Sequence, residues 1–129
     1  MELNHTLVPS RDKVASADFF ARMMGLETLP VRHFAPVKIN ESLALDFADI
    51  NEVELWSAEN GHFARQHYAF KVSEQEFDEI FGRVQTEGLR YGSDPGPELY
   101  NMKVNTGRGG RRVYFDELNG HSIEIFTRP

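Results

Sequence analysis

The chain of 129 residues contains no cysteine. That excludes a disulfide framework and any thiolate metal site. No apolar run approaches transmembrane length, so no membrane span is expected. There is no long basic run and the net charge is −6, which argues against nucleic acid and against an anionic membrane surface as partners. The N-terminus lacks a basic region followed by an apolar one, so no signal peptide is expected and the reading is a soluble, cytoplasmic protein. Tryptophan occurs once, as Trp56. Aromatic residues nevertheless reach 12% and hydrophobic residues 40%, which is ordinary globular material with enough length for one domain and a real core.

The strongest local signal closes the chain. Val113–Asp116 and His121–Thr127 read as strands joined by Leu118-Asn119-Gly120, because Asn and Gly tolerate the positive φ of a hairpin turn. On the return strand Ile123 and Ile125 share one face, while Ser122, Glu124 and Phe126 share the other. A carboxylate in the middle of such a strand faces solvent, pairs with a partner or binds a metal.

Upstream, Glu2–Val8 reads as a strand ended by Pro9 and Ser10, with His5 in its middle. A helix from about Asp12 to Met24 follows. Its apolar stripe is Ala15, Phe19, Phe20, Met23 and Met24, and Gly25 stops it. Leu29–His33, Pro36–Ile39 and Ser42–Phe47 read as three short strands; on the last, Asp46 points away from Leu43, Leu45 and Phe47. Residues from about Asp49 to Arg65 read as a linker that holds Trp56 and an Asn60-Gly61 turn. Then the pattern returns. Gln66–Val72 is a strand with His67, Ala69 and Lys71 on one face. Ser73-Glu-Gln-Glu76 is a capping box opening a helix to about Thr86, striped by Phe77, Ile80, Phe81 and Val84 and stopped by Gly88. A strand over Leu89–Gly92, a candidate strand over Tyr100–Val104 and a glycine-rich turn over Asn105–Gly110 lead into the hairpin.

The two halves match. With His5 aligned on His67, the segment Leu43-Ala-Leu-Asp-Phe47 falls on His121-Ser-Ile-Glu-Ile125. Each half reads β-α-β-β-β, with a histidine on its first strand and a carboxylate on its last. The expected fold class is α+β: two βαβββ modules, about 1–57 and 66–129. A pseudo-two-fold pairing would bring His5, Asp46, His67 and Glu124 to the centre of the paired sheets.

Three stretches carry a family resemblance. They are Leu3-Asn-His5 ahead of a helix ending Phe20-Ala-Arg-Met-Met-Gly-Leu26, then Gln66-His-Tyr-Ala-Phe70, and then Tyr114-Phe-Asp-Glu-Leu-Asn-Gly-His-Ser-Ile-Glu124. With them the chain resembles the vicinal oxygen chelate superfamily, which includes glyoxalase I, extradiol dioxygenases, fosfomycin-resistance transferases and bleomycin-resistance proteins. The resemblance implies a curled mixed-sheet cup with helices on the outside and a divalent metal (Fe, Mn, Zn, Ni or Co) held in the cup by His5, His67 and Glu124, with Asp46 as a weaker fourth candidate because Asp is shorter than the Glu usual there. Two imidazoles and one carboxylate suit those ions and leave positions open for a bidentate oxygen substrate. The implied function is a glyoxalase- or dioxygenase-like metal-dependent enzyme (a lyase, isomerase, dioxygenase or transferase) acting on a small oxygen-rich molecule. The alternative is a non-catalytic, bleomycin-resistance-like binding protein. Either way a homodimer is the expected assembly.

Around this site, Arg111, Arg108 and Tyr100 are candidate substrate contacts at the mouth of the cup. The segment Asn105-Thr-Gly-Arg-Gly-Gly-Arg-Arg112 lacks the spacing of a phosphate loop, and no helix follows it. His33, His62 and His121 read as surface or turn residues, with His62 the one closest to a site. Parity gives Tyr114 no clear place in the cup.

Overall fold

The computed structural model describes residues 1–53 and 62–129. Trp56 and the Asn60-Gly61 turn therefore lie outside the described residues. The chain divides into two compact units, Met1–Ala64 and Arg65–Pro129. Each carries one helix and one four-stranded mixed sheet in βαβββ order, and the fold is α+β.

The first module runs β1 (His5–Ser10), α1 (Lys13–Met24), β2 (Glu27–Thr28), β3 (Ala35–Lys38) and β4 (Ala44–Asp49). Its sheet order is β1-β4-β3-β2, with β1 parallel to β4 and the other pairs antiparallel. The strand β1 starts and ends later than its sequence suggests: Pro9 lies inside it instead of ending it. An edge strand tolerates this, because a proline there need not donate to the ladder. His5 accordingly opens the strand, and Leu3 lies outside it, exposed. Asp12 caps α1 by accepting from the Ala15 N–H, and Gly25 closes it at φ 68°. The buried face of α1 runs through Ser16, Ala17, Phe19, Phe20, Met23 and Met24 but not Ala15, which is exposed. Phe20 meets Phe47 of β4 with ring centroids 5.7 Å apart.

Leu29–His33 does not form the expected strand. Pro30 removes a donor there, and the Arg32 N–H turns back onto the Phe34 carbonyl, leaving only the two-residue β2. Beyond β4, Ile50–Glu52 makes one 3-10 turn.

The second module runs β5 (His67–Lys71), α2 (Glu74–Thr86), β6 (Tyr91–Gly92), β7 (Arg112–Asp116) and β8 (Ser122–Phe126). Its order, β5-β8-β7-β6, repeats the first, again with one parallel and two antiparallel pairs. The capping box forms as expected: Ser73 Oγ accepts from the Glu76 N–H at 3.0 Å, and Glu76 Oε1 accepts from the Ser73 N–H at 2.9 Å. Phe77, Ile80 and Val84 of α2 are buried, as are Val113, Phe115, Ile123 and Ile125 of the hairpin. Helix and sheet meet where Phe81 sets its ring edge-on to Tyr91, centroids 4.9 Å apart.

The candidate strand Tyr100–Val104 is absent. Pro97–Leu99 is a 3-10 turn, and Met102 adopts φ 59°, which breaks an extended run. Among the described residues no helix is long and apolar enough to cross a membrane.

Candidate functional site

Strand register arranges the face of the second sheet opposite its apolar side into three rows. Successive residues of a strand alternate faces, and register partners share one. The first row is His67, Ser122 and Asp116; the second is Ala69, Glu124, Tyr114 and Gly92; the third is Lys71, Phe126 and Arg112. The polar groups of this face therefore come together because β8 lies between β5 and β7.

His67 and Glu124 meet. His67 Nε2 lies 3.2 Å from Glu124 Oε1. The other carboxylate oxygen, Oε2, accepts from Arg112 Nη1 at 2.8 Å. The Arg112 and Glu124 side chains are only 13% and 8% exposed, whereas His67 is 48% exposed. The carboxylate is thus shielded and the imidazole is open. The Tyr114 ring lies over the His67 ring, 6.1 Å between centroids and 26° between planes, so the two rings approach across β8. Burial and the nearby Glu124 hold the Tyr114 phenol above its ordinary ionisation range, against the pull of Arg112.

Tyr114 was invisible to sequence parity because the hairpin register was not fixed. The pairing Tyr114↔Glu124 is centred on Asn119, so the turn itself assigns Tyr114 to the face of Glu124. Arg112 follows by the same rule, two residues away on the same face.

The first module repeats the placement. His5 is register partner to Ala44, and Asp46 stands two residues further along β4 on the same face; His67 is partner to Ser122, and Glu124 stands two residues further along β8. His5 Nδ1 meets Asn4 Oδ1 at 2.8 Å. With the amide oxygen as acceptor, the neutral tautomer of the ring is the one that carries its proton on Nδ1. Burial raises the Asp46 carboxyl above the usual range, and His5 opposes that shift. The surroundings differ, however. The register position matching Tyr114 is Pro36; two residues before it, where the second module has Arg112, the chain has Phe34, just ahead of β3 and without a guanidinium.

Within each module the donors come as a pair: His5 with Asp46, and His67 with Glu124. No group of three or more His, Asp or Glu side chains able to hold a metal is present among the described residues. The donor chemistry of the second pair still fits a divalent ion. Two donors about 2.1 Å from one ion lie about 3.0 Å apart at right angles and about 3.4 Å apart at the tetrahedral angle. The 3.2 Å between His67 Nε2 and Glu124 Oε1 falls between these values.

The three rim candidates separate. Tyr100 is buried; its hydroxyl donates to Asp116 Oδ1 at 2.7 Å and accepts from Arg65 Nη2 at 3.2 Å. Burial and the Asp116 carboxylate push its ionisation up to about 12. Arg65 also pairs with Asp116 at 2.5 Å and donates through Nε to the Gly120 carbonyl, so this cluster ties the start of the module to the hairpin at the first row. Ser122 is buried in that row beside the Tyr100 hydroxyl, whose ionisation it pulls down against Asp116. Arg108 is exposed on the glycine-rich turn. Arg111 lies over the Phe77 ring at 4.2 Å and pairs with Glu74 and Asp78 at 2.7 Å each. Its guanidinium is thus held at α2, on the side away from His67 and Glu124.

His121 is not a surface residue. It is fully buried, its Nδ1 accepts from the Gln66 N–H at 2.9 Å, and its ring stands edge-on to Tyr68. Buried Glu117 organises the same turn, accepting from the backbone N–H groups of Asn119 at 2.7 Å and His121 at 3.0 Å. His33 and His62 are exposed, as expected.

No protein-family model and no curated protein matches the chain. Among solved structures, "Oxidase ChaP-H2" is 44% identical with a TM-score of 0.86; the match covers 100% of this chain and 94% of that one. "Oxidase ChaP-H1" is 42% identical with a TM-score of 0.85, covering 100% and 97%. A glyoxalase/dioxygenase from Nostoc punctiforme shares the fold at 23% identity and a TM-score of 0.69, covering 99% and 91%.

Proposed function

Because the chain belongs to the vicinal oxygen chelate superfamily, we propose that it is a metal-dependent enzyme acting on a small oxygen-rich substrate, and specifically an oxidase in which molecular oxygen accepts the substrate's electrons. The oxidase reading rests on the names of the two relatives above 40% identity. The metal reading rests on one observation: an open imidazole and a shielded carboxylate presented 3.2 Å apart on one sheet face.

In this reading His67, Glu124 and His5 hold the metal, and Asp46, short and without a facing guanidinium, is left out of the ligand set. When bound, the metal supplies Lewis acidity to a chelating pair of substrate oxygens. The chain's own groups do the rest. For His67 to hold the ion through Nε2, the ring proton that meets Glu124 would sit on Nδ1 instead, leaving Nε2 and Glu124 Oε1 as two lone-pair donors. Asn4 fixes the His5 tautomer that leaves Nε2 available. Tyr114, still protonated in the physiological range, lies against Glu124 and over His67, where it would orient a substrate oxygen and cover that face against water. Tyr100, beside Asp116 and Ser122 at the end of the first row, is the substrate contact we retain from the rim. Arg108 and Arg111 contribute less: one is exposed on its turn and the other is engaged at α2. A homodimer is the expected assembly, read by light scattering.

The test is metal content together with oxygen uptake. Protein reconstituted anaerobically with Fe(II) should bind about one ion per chain and consume oxygen with catechol-like or hydroxyketone substrates. Metal without oxygen uptake would move the reaction to the lyase or isomerase class. Absence of metal would leave the non-catalytic binding protein.

A further inference from the structure

We propose that Arg112 is a positioning residue that makes Glu124 a one-oxygen ligand and so keeps a coordination position free for the substrate. The inference rests on the metal reading above and deepens it.

The two Glu124 oxygens face different groups: Oε1 faces His67 at 3.2 Å and Oε2 accepts from Arg112 Nη1 at 2.8 Å, with the Tyr114 hydroxyl beside both the carboxylate and the guanidinium. A carboxylate free on both oxygens is able to chelate an ion through both, as it does for Ca²⁺. A charge-assisted bond to one oxygen, in a place where both side chains are almost entirely shielded from water, opposes that rotation. The guanidinium is itself fixed by contacts independent of Glu124. Its Nη2 donates to the Arg128 carbonyl at 3.2 Å, and it lies 5.2 Å over the Phe126 ring. It is therefore a fixed stop and not a mobile counter-ion.

The internal repeat supplies the control. Asp46 and Glu124 occupy equivalent register positions, facing Pro36 and Tyr114; two residues before Tyr114 stands Arg112 in β7, whereas two residues before Pro36 stands Phe34, ahead of the start of β3 and without a guanidinium. The repeat therefore keeps the carboxylate position and changes the residue type that clamps it. The consequence concerns coordination number. A substrate chelating through two oxygens needs two open positions on the ion. Each ligand oxygen added by Glu124 removes one. Releasing Oε2 should therefore hurt substrate chelation far more than metal retention, the reverse of what a merely structural arginine would do.

The experiment uses the full chain loaded with Co(II), whose visible spectrum and X-ray absorption report coordination, and catechol as the chelating probe. In the wild type one Glu124 oxygen should be bound, and catechol should shift the spectrum. Arg112→Gln should keep Co(II) within about threefold of wild-type affinity but lose at least about tenfold in catechol affinity, with one more oxygen scatterer in the resting site. Arg112→Lys, which keeps a cation near Oε2, should recover part of the catechol affinity. Should Arg112→Gln fail to fold, the wild-type X-ray absorption decides alone. Two Glu124 oxygens on the wild-type ion, or equal losses of Co(II) and catechol in Arg112→Gln, would overturn the inference while leaving the metal reading standing. A wild type that binds no Co(II) would remove the metal reading as well.

Discussion

Replacing His121 removes a side chain that is fully buried and that accepts the Gln66 N–H at 2.9 Å. That bond fixes the residue just ahead of His67, so its loss bears on the site as well as on stability. Leaving the amide without its acceptor costs about 1–3 kcal/mol. Removing most of a buried ring in His121→Ala adds a cavity cost of about 1–2 kcal/mol, toward the low end for large-to-small changes because imidazole is polar. The sum is about 3 kcal/mol. With a urea m-value of about 1.5 kcal/mol/M for a domain of this size, the unfolding midpoint should fall by about 2 M. Two further variants divide the effect. His121→Leu fills the space without an acceptor; His121→Asn places Oδ1 near the position of Nδ1. Asn should be the more stable by about 1 kcal/mol despite its smaller volume. Equilibrium urea unfolding of the three variants, followed by circular dichroism, measures this. A midpoint shift below about 0.5 M for Ala, or Leu more stable than Asn, would refute the assigned hydrogen bond.

Other perturbations have equally definite outcomes. At Gly92 an added Cβ would lie 2.8 Å from the Tyr100 Cα, and backbone cannot yield cheaply, so Gly92→Ala should cost about 1–3 kcal/mol and detach Tyr100 from Asp116, visible as a lowered Tyr100 ionisation. Tyr68 and Tyr100 are both pushed up to about 12, so the folded state holds protons that the unfolded chain releases near pH 10. Stability from these two phenols is complete below pH 10 and falls as pH rises toward 12, and ultraviolet titration should show Tyr68 and Tyr100 ionising last, with Tyr114 also above its ordinary range. Ser73→Ala removes one arm of the capping box and should lower stability by about 1 kcal/mol, measured by thermal unfolding, with no effect on metal content.

The repeat was legible because it is written in residue types that have little choice. Asp12, Gly25, Ser73, Glu76 and Gly88 mark helix ends by capping chemistry, and the alternation around Glu124 marks a strand with one buried face. Boundaries were less legible where a tertiary position relaxes a local rule: Pro9 stays in β1 only because β1 is an edge. The short strands near Leu29 and Tyr100 were over-read, since apolar alternation alone does not supply a pairing partner. The donor pairs were legible as repeat positions, but their environment was not. Arg112 and Tyr114 join the site through hairpin register, and register depends on where the turn is centred. His121 looked like a turn residue because it adjoins Gly120; its burial follows from Gln66 and Glu117, which are four or more residues distant and carry no local pattern linking them to it.

The metal assignment is exposed most directly by elemental analysis of tag-free protein after anaerobic reconstitution with Fe(II), Mn(II), Zn(II), Ni(II) or Co(II), comparing wild type with His5→Ala, His67→Ala and Glu124→Ala. About one ion per chain is expected in the wild type, with stabilisation of roughly 2.7 kcal/mol at one hundred times the dissociation constant, and loss of stoichiometric binding is expected in each variant. A wild type without metal, or a His67→Ala protein that retains a full equivalent, would contradict the site.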